Sequence, residues 1–240
     1  MASWSIVIPT YHEAANLGEL IPSIWKVVHK AQADTEIIIV DDDSQDGTEG
    51  IVDGLIQQGY PVRLLVRRGI RGLSSAVIEG FRISCKDIVI CMDADFSHPP
   101  ECIPKLADKV VYGGCDMAFG SRYVKGGTTE EGWGGLRWLN SKVATVMARP
   151  FANIHDPMSG FFAMSRATFE CSADLNPVGY KIGLELLVKC RCCRVGEIPI
   201  HFANRKYGQS KLSLREQLNY LRHIKRLADF KGGYWRLFFR

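Results

Sequence analysis

The sequence predicts an α/β protein in which a mostly parallel sheet is sandwiched by helices. Short runs rich in β-branched residues alternate with segments of helix length over the first 120 residues. The runs are continuously apolar, which is typical of strands covered by helices on both faces. Three of the first four runs end in acidic or hydroxyl residues, at the kind of edge where open α/β sheets hold their ligands.

The first half of the chain supplies five predicted strands and the helices between them. The strands are expected at 3–9, 36–40, 62–66, 88–92 and 116–120, and the helices at 16–29, 48–58, 73–84 and 100–111. Asn16 and Glu19 resemble a capping pair that begins the first helix, and the acidic turn at 41–47 caps the second. No strand is followed by a G-x-G-x-x-G motif, so the usual dinucleotide-binding fold is not expected.

The pattern changes after residue 120. A glycine-rich segment with basic residues, 121–135, is long enough to be a lid or a binding loop. Further helices are expected at 136–149, 183–194 and 213–230, and further strands at 161–164 and 197–202.

The last predicted helix divides the chain into a domain of residues 1–212 and a basic C-terminal segment of residues 213–240. Ten basic and two acidic residues lie between Arg205 and Arg240, a net charge of +8 in a chain whose total is +4. The helix has leucine and isoleucine on one face, so it either packs on its own domain or lies on an anionic membrane. Aromatic residues mixed with arginines at 231–240 favour the membrane surface.

Asp93 and Asp95 directly follow the fourth apolar run and are separated by one alanine. A buried strand would present both carboxylates at the carboxyl edge of the sheet. Two neighbouring carboxylates repel each other unless a cation lies between them, and a hard divalent cation prefers oxygen ligands. The pair therefore predicts a metal site, and the other interpretation is a solvated turn that caps the next helix.

Six short motifs occur in order along the chain. They are Pro9-Thr-Tyr-His-Glu13, Val40-Asp-Asp-Asp-Ser-Gln-Asp-Gly-Thr48, Asp93-Ala-Asp95, Gly120-Ser-Arg-Tyr123, Asp156-Pro-Met-Ser-Gly160 and Arg205-Lys-Tyr-Gly-Gln-Ser-Lys211. Each is weak alone. Together they make the chain resemble the inverting glycosyltransferases with the Rossmann-like GT-A fold and, within them, the dolichol-phosphate (polyprenyl-phosphate) mannose synthases.

The resemblance implies transfer of mannose from GDP-mannose to a dolichyl or other polyprenyl phosphate, with inversion at the sugar. It places the enzyme at the cytoplasmic face of a membrane, which is the endoplasmic reticulum in a eukaryote or the plasma membrane in a prokaryote. It also admits small membrane-embedded subunits as partners and gives no role to nucleic acid.

The resemblance further implies a role for individual residues. Those implied to bind the donor nucleotide and its diphosphate are Pro9, Tyr11, Glu13, Val40, Asp42, Asp93, Ala94, Asp95, Arg122, Arg205 and Lys211. Those implied to meet the acceptor phosphate are Arg122, Arg137 and Ser141. Asp93 and Asp95 would hold Mg²⁺ or Mn²⁺, and Asp95 and Arg122 would be the catalytic residues. Some members carry glutamine as a further metal ligand at the place of Ser97, whose shorter side chain leaves room for a water.

The residue types suit this chemistry. A sugar nucleotide leaves as a diphosphate anion, so a divalent cation with Arg and Lys donors would neutralise the charge that develops there. A phosphate acceptor is already ionised at neutral pH and needs no strong general base.

Other interpretations stay open at this point. The donor could be UDP-glucose or another nucleotide sugar, because the motifs separate donors poorly. A haloacid-dehalogenase-like phosphatase also ends a strand in Asp-x-Asp, but there the pair follows the first strand of the core. A nucleic-acid- or membrane-binding module would leave the acidic sheet edge unexplained, because acids repel nucleic-acid phosphate.

Individual residues have structural alternatives too. Glu13 and Asp46 are suited to cap helices, and Asp156 to shape the turn before the following proline. Arg205 and Lys211 could be surface charge, and His98 is expected to be structural.

Overall fold

The computed structural model describes residues 3–130, 135–204 and 214–232, and within these ranges it describes every side chain except those of 135–141 and 214–215. The helices are α1 (Ala14–Lys30), α2 (Thr48–Gln57), α3 (Leu73–Ile83), α4 (Ile103–Val111), α5 (Gly135–Ala148), α6 (Arg166–Glu170), α7 (Ile182–Lys189) and α8 (Leu214–Phe230). The strands are β1 (Ser3–Thr10), β2 (Asp34–Asp41), β3 (Val62–Val66), β4 (Ile88–Cys91), β5 (Met117–Ser121), β6 (Thr128–Thr129), β7 (Phe162–Ser165), β8 (Val195–Pro199) and β9 (His201–Phe202). A short 3₁₀ turn, Pro100–Cys102, precedes α4.

The main sheet has seven strands in the order β3-β2-β1-β4-β7-β5-β8. Every neighbouring pair is parallel except the two that include β7, which runs antiparallel between β4 and β5. Strands β6 and β9 form a separate parallel pair. The predicted mostly parallel sheet is confirmed, and the reversed direction of β7 is a feature that the local sequence pattern did not indicate.

Two apolar cores cover the two faces of this sheet. On one face, β-strand residues such as Ile6 and Ile39 pack against α1, α2 and α4. On the other face, their strand neighbours Val7 and Val40 pack in a second core with α3, α7 and α8. Successive strand residues point to opposite faces, and here both faces are covered. This arrangement explains why the strands read as continuous apolar runs.

The first helix begins two residues earlier than predicted, and the Asn16–Glu19 capping pair was wrong. Asn16 lies inside α1, where its Nδ2 donates to the Glu13 carboxylate at 2.7 Å. The backbone N–H of Ala14 instead donates to the carboxylate of Asp46 at 3.1 Å. A carboxylate from the neighbouring β2–α2 turn therefore satisfies the start of α1, which local sequence cannot reveal.

The predicted helix over 183–194 ends five residues early, at Lys189. The reason is the carboxylate of Asp116, which accepts the backbone N–H groups of Cys193 and Arg194 at 2.9 and 2.8 Å and directs the chain into β8. The single strand predicted at 197–202 is divided between β8 and β9, which belong to different sheets.

The last helix packs on its own domain through only part of its predicted apolar face. Ile224 and Leu227 are buried in the core that also holds α3 and α7. Leu218 and Leu221, which were expected on the same face, are 55% and 48% exposed. Within the described parts of the chain, no helix combines the length and apolarity needed to span a membrane. The division at residue 212 stays a prediction.

The close approach of α3 to the sheet gives a test of the fold. A side chain at Gly80 would overlap Val7 and would place its Cβ 3.0 Å from Val40. We expect Gly80→Ala to lower the free energy of unfolding by about 2 kcal/mol, because added volume in a packed interior strains it. Gly54→Ala in α2 is the control, since nothing lies within 4 Å of its added Cβ and alanine favours a helix. Equal urea midpoints for the two variants would contradict this account of the packing.

Candidate active site

The candidate site lies where the strand order reverses, between β1 and β4. The chain proceeds from β1 outward to β2 and β3, whereas β4 and the later strands lie on the other side. Open α/β sheets form a crevice outside the carboxyl ends of the strands at such a point. The ends of β1, β2 and β4 bring Glu13, Asp42, Asp93 and Asp95 to this edge, as predicted from the order of the motifs.

The reversed strand adds a second group of residues to the same edge. Because β7 is antiparallel to β4, the segment before it, 156–160, lies beside the carboxyl end of β4. Strand β5 is parallel to β4 in direction and ends at Ser121, so Arg122 follows at this edge as well. Two motifs separated by 34 residues are thereby brought into contact.

Asp95 is held by its neighbour Ser97. The Oδ1 of Asp95 accepts the Ser97 hydroxyl at 2.5 Å and its backbone N–H at 3.1 Å, and both residues are buried. Ser97 therefore orients the carboxylate of Asp95. The backbone N–H of Asp93 donates to Nδ1 of His98 at 3.0 Å. The His98 ring is buried and stacks on Phe161, and burial lowers its pKa, so it is a neutral, structural histidine as expected.

The two aspartates fit a cation that arrives together with a diphosphate. Mg²⁺ is commonly held by one or two carboxylates and completes its shell with water and substrate phosphate oxygens. Among the residues that the structure describes, no group of three or more His, Cys, Asp or Glu could hold a metal ion by itself. A Cβ at Gly160 would lie 3.5 and 3.6 Å from the two carboxylate oxygens of Asp93, so a larger side chain would fill the space beside this carboxylate.

Arg122 and Asp156 form a buried bidentate pair. Arg122 donates from Nε at 2.7 Å, from Nη2 at 2.8 Å and from its backbone N–H at 3.1 Å, all to the Asp156 carboxylate. Their side chains are 9% and 0% exposed. Burial alone would lower the pKa of Arg122, but the bonds and charge of Asp156 raise it above its ordinary value, so the guanidinium keeps its charge. Asp156 thus does more than shape a turn.

Lys181 is a site residue that the sequence analysis missed. Its Nζ donates to the carbonyl of Met158 at 3.2 Å. Burial, together with the charge of Arg122, lowers the pKa of Lys181 to about 8, although the carboxylates of Asp156 and Asp93 oppose this shift. Two cations held near each other are unfavourable until an anion binds between them, so this group predicts a phosphate site. No motif surrounds Lys181, and only the fold reveals its neighbours.

At the carboxyl end of β2, two residues that are predicted to bind the nucleotide also have structural roles. Val40 pairs with Pro9 across β1 and β2, and its side chain is fully buried in the core. The carboxylate of Asp42 accepts two bonds from Arg67, at 2.8 and 2.5 Å, and the backbone N–H of Gly72 at 2.7 Å. Contacts from these two residues to a nucleotide stay a prediction, and Val40 can supply only its backbone polar groups.

Tyr11 lies next to a basic residue that the sequence analysis did not select. The guanidinium carbon of Arg71 is 4.5 Å from the centre of the Tyr11 ring. Arg71 belongs to the glycine-rich turn after β3, which the fold brings next to the turn after β1. A cation stacked on an aromatic ring at this edge suits an anionic nucleotide.

Of the two acids that could cap helices, Asp46 does so and Glu13 does not. Asp46 binds the backbone N–H of Ala14 and both the N–H and the hydroxyl of Thr48, so it serves the first turns of α1 and α2. Although burial raises the pKa of Asp46, these bonds bring it below its ordinary value. Glu13 occupies the N-cap position of α1 without a side-chain bond to the helix backbone, so its nucleotide role stays a prediction.

Of the remaining predicted residues, the structure describes Ala94 completely and the others in part or not at all. Ala94 is buried between the two aspartates. Arg205 and Lys211 lie outside the described residues. Arg137 and Ser141 lie on α5, and their side chains are also outside the description.

The sequence matches known proteins over most of its length. A family model described as Glycosyl transferase family 2 matches residues 5–172. A dolichol-phosphate mannosyltransferase of Saccharomyces cerevisiae is 42% identical over 240 residues, covering 96% of this chain and 88% of that protein. A dolichol-phosphate mannosyltransferase of Pyrococcus furiosus is 44% identical over 232 residues, covering 95% of this chain and 64% of that protein. A polyprenol monophosphomannose synthase of Mycolicibacterium smegmatis is 36% identical over 219 residues, covering 87% and 80%.

Solved structures share the fold at low sequence identity. A mannosyl-3-phosphoglycerate synthase from Rubrobacter xylanophilus has a TM-score of 0.71 at 20% identity, covering 96% of this chain and 75% of that one. A glucosyl-3-phosphoglycerate synthase from Mycobacterium tuberculosis, solved with Mn²⁺, uridine diphosphate and glucosyl-3-phosphoglycerate, has a TM-score of 0.67 at 20% identity, covering 94% and 78%. The chain is therefore a glycosyltransferase with the GT-A fold, and it belongs to the dolichol-phosphate mannosyltransferases within glycosyl transferase family 2.

Proposed function

We propose that this protein transfers mannose from GDP-mannose to a dolichyl or other polyprenyl phosphate and inverts the configuration at the sugar carbon. The names of its relatives support the sugar and the class of acceptor. The observation that carries the proposal is the charge arrangement at the sheet edge. Asp93 and Asp95 at the end of β4 lie near two partly buried cations, Arg122 and Lys181.

This arrangement suits the departure of a diphosphate. A bound Mg²⁺ or Mn²⁺, held by Asp93 and Asp95, would neutralise charge on the leaving group. Lys181 would donate a hydrogen bond to a phosphate oxygen of the diphosphate. The negative charge of the diphosphate would stabilise the protonated lysine, which burial destabilises. Arg122 is fixed in direction by Asp156, so it would meet a phosphate without losing side-chain freedom at that moment. Arg205 and Lys211 are assigned to the same diphosphate by sequence alone.

The acceptor needs no activating base in this scheme. Its phosphate oxygen is ionised at neutral pH and would form the new bond to the sugar carbon while the bond to the diphosphate oxygen breaks. A single direct displacement inverts the configuration. Arg137 and Ser141 on α5 are assigned to this second phosphate, which places α5 on the acceptor side of the site.

We assign the membrane-facing surface to α5 and α8 together rather than to α8 alone. Val143 and Val146 on α5 are 51% and 58% exposed, close to the values for Leu218 and Leu221 on α8. The two helices are joined by a hydrogen bond from the Tyr220 hydroxyl on α8 to the Ala144 carbonyl on α5. Exposed basic residues on α8, Arg222, Lys225 and Arg226, suit anionic headgroups beside this apolar surface. Location at the cytoplasmic face and membrane-embedded partner subunits stay predictions.

Transfer and its metal dependence test the proposed function. Purified protein with labelled GDP-mannose, Mn²⁺ and a polyprenyl phosphate should yield a labelled lipid phosphate, and chelation by EDTA should stop the reaction. Asp95→Asn should lower the rate by at least about 100-fold, because it removes charge stabilisation at the reacting group. Asp87→Asn is the control, since Asp87 is exposed at the opposite end of β4.

The outcomes separate the donor from the reaction type. Labelled lipid from UDP-glucose but not from GDP-mannose would overturn the donor assignment alone. No lipid product from any nucleotide sugar would overturn the proposed function.

The role assigned to Lys181 predicts a selective effect on the donor. Lys181→Met should lower kcat/KM for GDP-mannose by about 10- to 100-fold, because a hydrogen bond to a charged group contributes about 1.5–3 kcal/mol. Lys181→Arg should retain more activity, since it keeps the charge. Lys86→Met, which removes a lysine paired with Asp34 at the other edge of the sheet, is the control. Wild-type donor kinetics in Lys181→Met would exclude this role.

The surface on α5 and α8 predicts membrane binding. The double change Leu218→Glu and Leu221→Glu should weaken sedimentation with anionic phospholipid vesicles at least about tenfold, because charged residues cannot enter the acyl boundary. Ile56→Glu is the matched control, since Ile56 is 46% exposed on α2, which packs on the opposite face of the sheet. If both variants sediment like the wild type, the membrane-facing surface lies elsewhere.

A further inference from the structure

One hydrogen bond joins α8 to the helix assigned to the acceptor. The hydroxyl of Tyr220 donates to the backbone carbonyl of Ala144 at 2.6 Å. Ala144 lies three residues after Ser141 on α5, less than one turn away. Burial raises the pKa of Tyr220 well above its ordinary value, so the hydroxyl keeps its proton and remains a donor.

Helix α8 is itself held by a buried polar contact three residues further along. Nε2 of His223 and the carboxylate of Glu185 on α7 are 2.7 Å apart, and both side chains are buried. The same carboxylate pairs with Lys189 at 2.8 Å. Burial raises the pKa of Glu185, but His223 and Lys189 bring it below its ordinary value, so the carboxylate is ionised. A buried polar network with such directional partners fixes the position of α8.

Helix α5 also packs against the core that holds α8. Of residues 142–148, Thr145 and Ala148 are buried, and Ala144 and Met147 pack partly buried against that core. The Tyr220–Ala144 bond adds one directional contact to this packing and joins α5 to a helix that is fixed by buried polar groups.

We propose that Tyr220 is a positioning residue that sets the place of α5, the helix to which the acceptor phosphate is assigned. The inference rests on the proposed function, in which α5 meets that phosphate. Tyr220 acts through the carbonyl of Ala144 and needs no contact with either substrate. Its contribution should therefore appear in acceptor binding and not in donor binding.

Tyr220→Phe removes only the hydroxyl and keeps the packed ring. We expect the KM for polyprenyl phosphate to rise about fivefold, the size of effect that one intramolecular hydrogen bond supplies, with the KM for GDP-mannose unchanged. Ser84→Ala is the matched control, because the Ser84 hydroxyl also donates to a helix carbonyl, that of Phe81, at 2.6 Å. Ser84 precedes β4 and so lies at the opposite edge of the sheet.

A merely structural role for Tyr220 would lower the melting temperature and leave both KM values unchanged, and this result would overturn the inference. Hydrogen exchange measured without substrates separates the inference from the proposed function. Faster exchange confined to amides 142–148 in Tyr220→Phe would support the hold on α5 even if the wild type transferred no mannose. Exchange equal to that of the wild type would overturn it.

Discussion

The buried pair of Arg122 and Asp156 determines how the two halves of the candidate site meet. Arg122 follows β5 and Asp156 precedes β7, so the pair exists only because β7 runs antiparallel between β4 and β5. A buried ion pair adds little net stability, but removal of one partner costs about 3–5 kcal/mol. The pair is therefore better understood as a constraint on geometry, because it directs a permanent cation toward the edge where Asp93 and Asp95 lie.

The other charged residues of the candidate site are best understood through the balance between carboxylates and cations. The carboxylates of Asp93, Asp95 and Asp156 and the cations of Arg122 and Lys181 lie at the same edge of the sheet, and their charges act on the pKa values of His98 and Lys181. Burial and the charge of Arg122 lower the pKa of Lys181 to about 8. A partly buried lysine with a lowered pKa is stabilised when an anion binds beside it. A bound diphosphate would therefore stabilise the charge of the lysine, and its divalent metal would reduce the repulsion between the aspartates.

Much of the fold could be predicted from sequence because strand composition is a local property. The strands ending near Thr10, Asp41 and Cys91 were placed to within a residue or two at their carboxyl ends, and the candidate metal residues were found with them. The missed features are long-range. Asp46 serves a helix more than thirty residues earlier, Asp116 ends α7 from a distant loop, and Lys181 acquires its partners only through the sheet order. No window of local sequence contains these partners.

The last helix shows why amphipathic pattern alone could not decide between core and membrane. Ile224 and Leu227 pack in the core, while Leu218 and Leu221 on the preceding turns stay exposed, so one apolar stripe serves two environments. The change occurs near Tyr220, whose hydroxyl reaches α5. Because α8 is packed in the core at one end and exposed at the other, a surface that binds its exposed end is held at a fixed orientation to the domain. If that surface is a lipid bilayer, the same helix both orients the domain on the bilayer and positions α5. A lipid-linked phosphate would then arrive on the same side of the domain as the helix that is proposed to bind it.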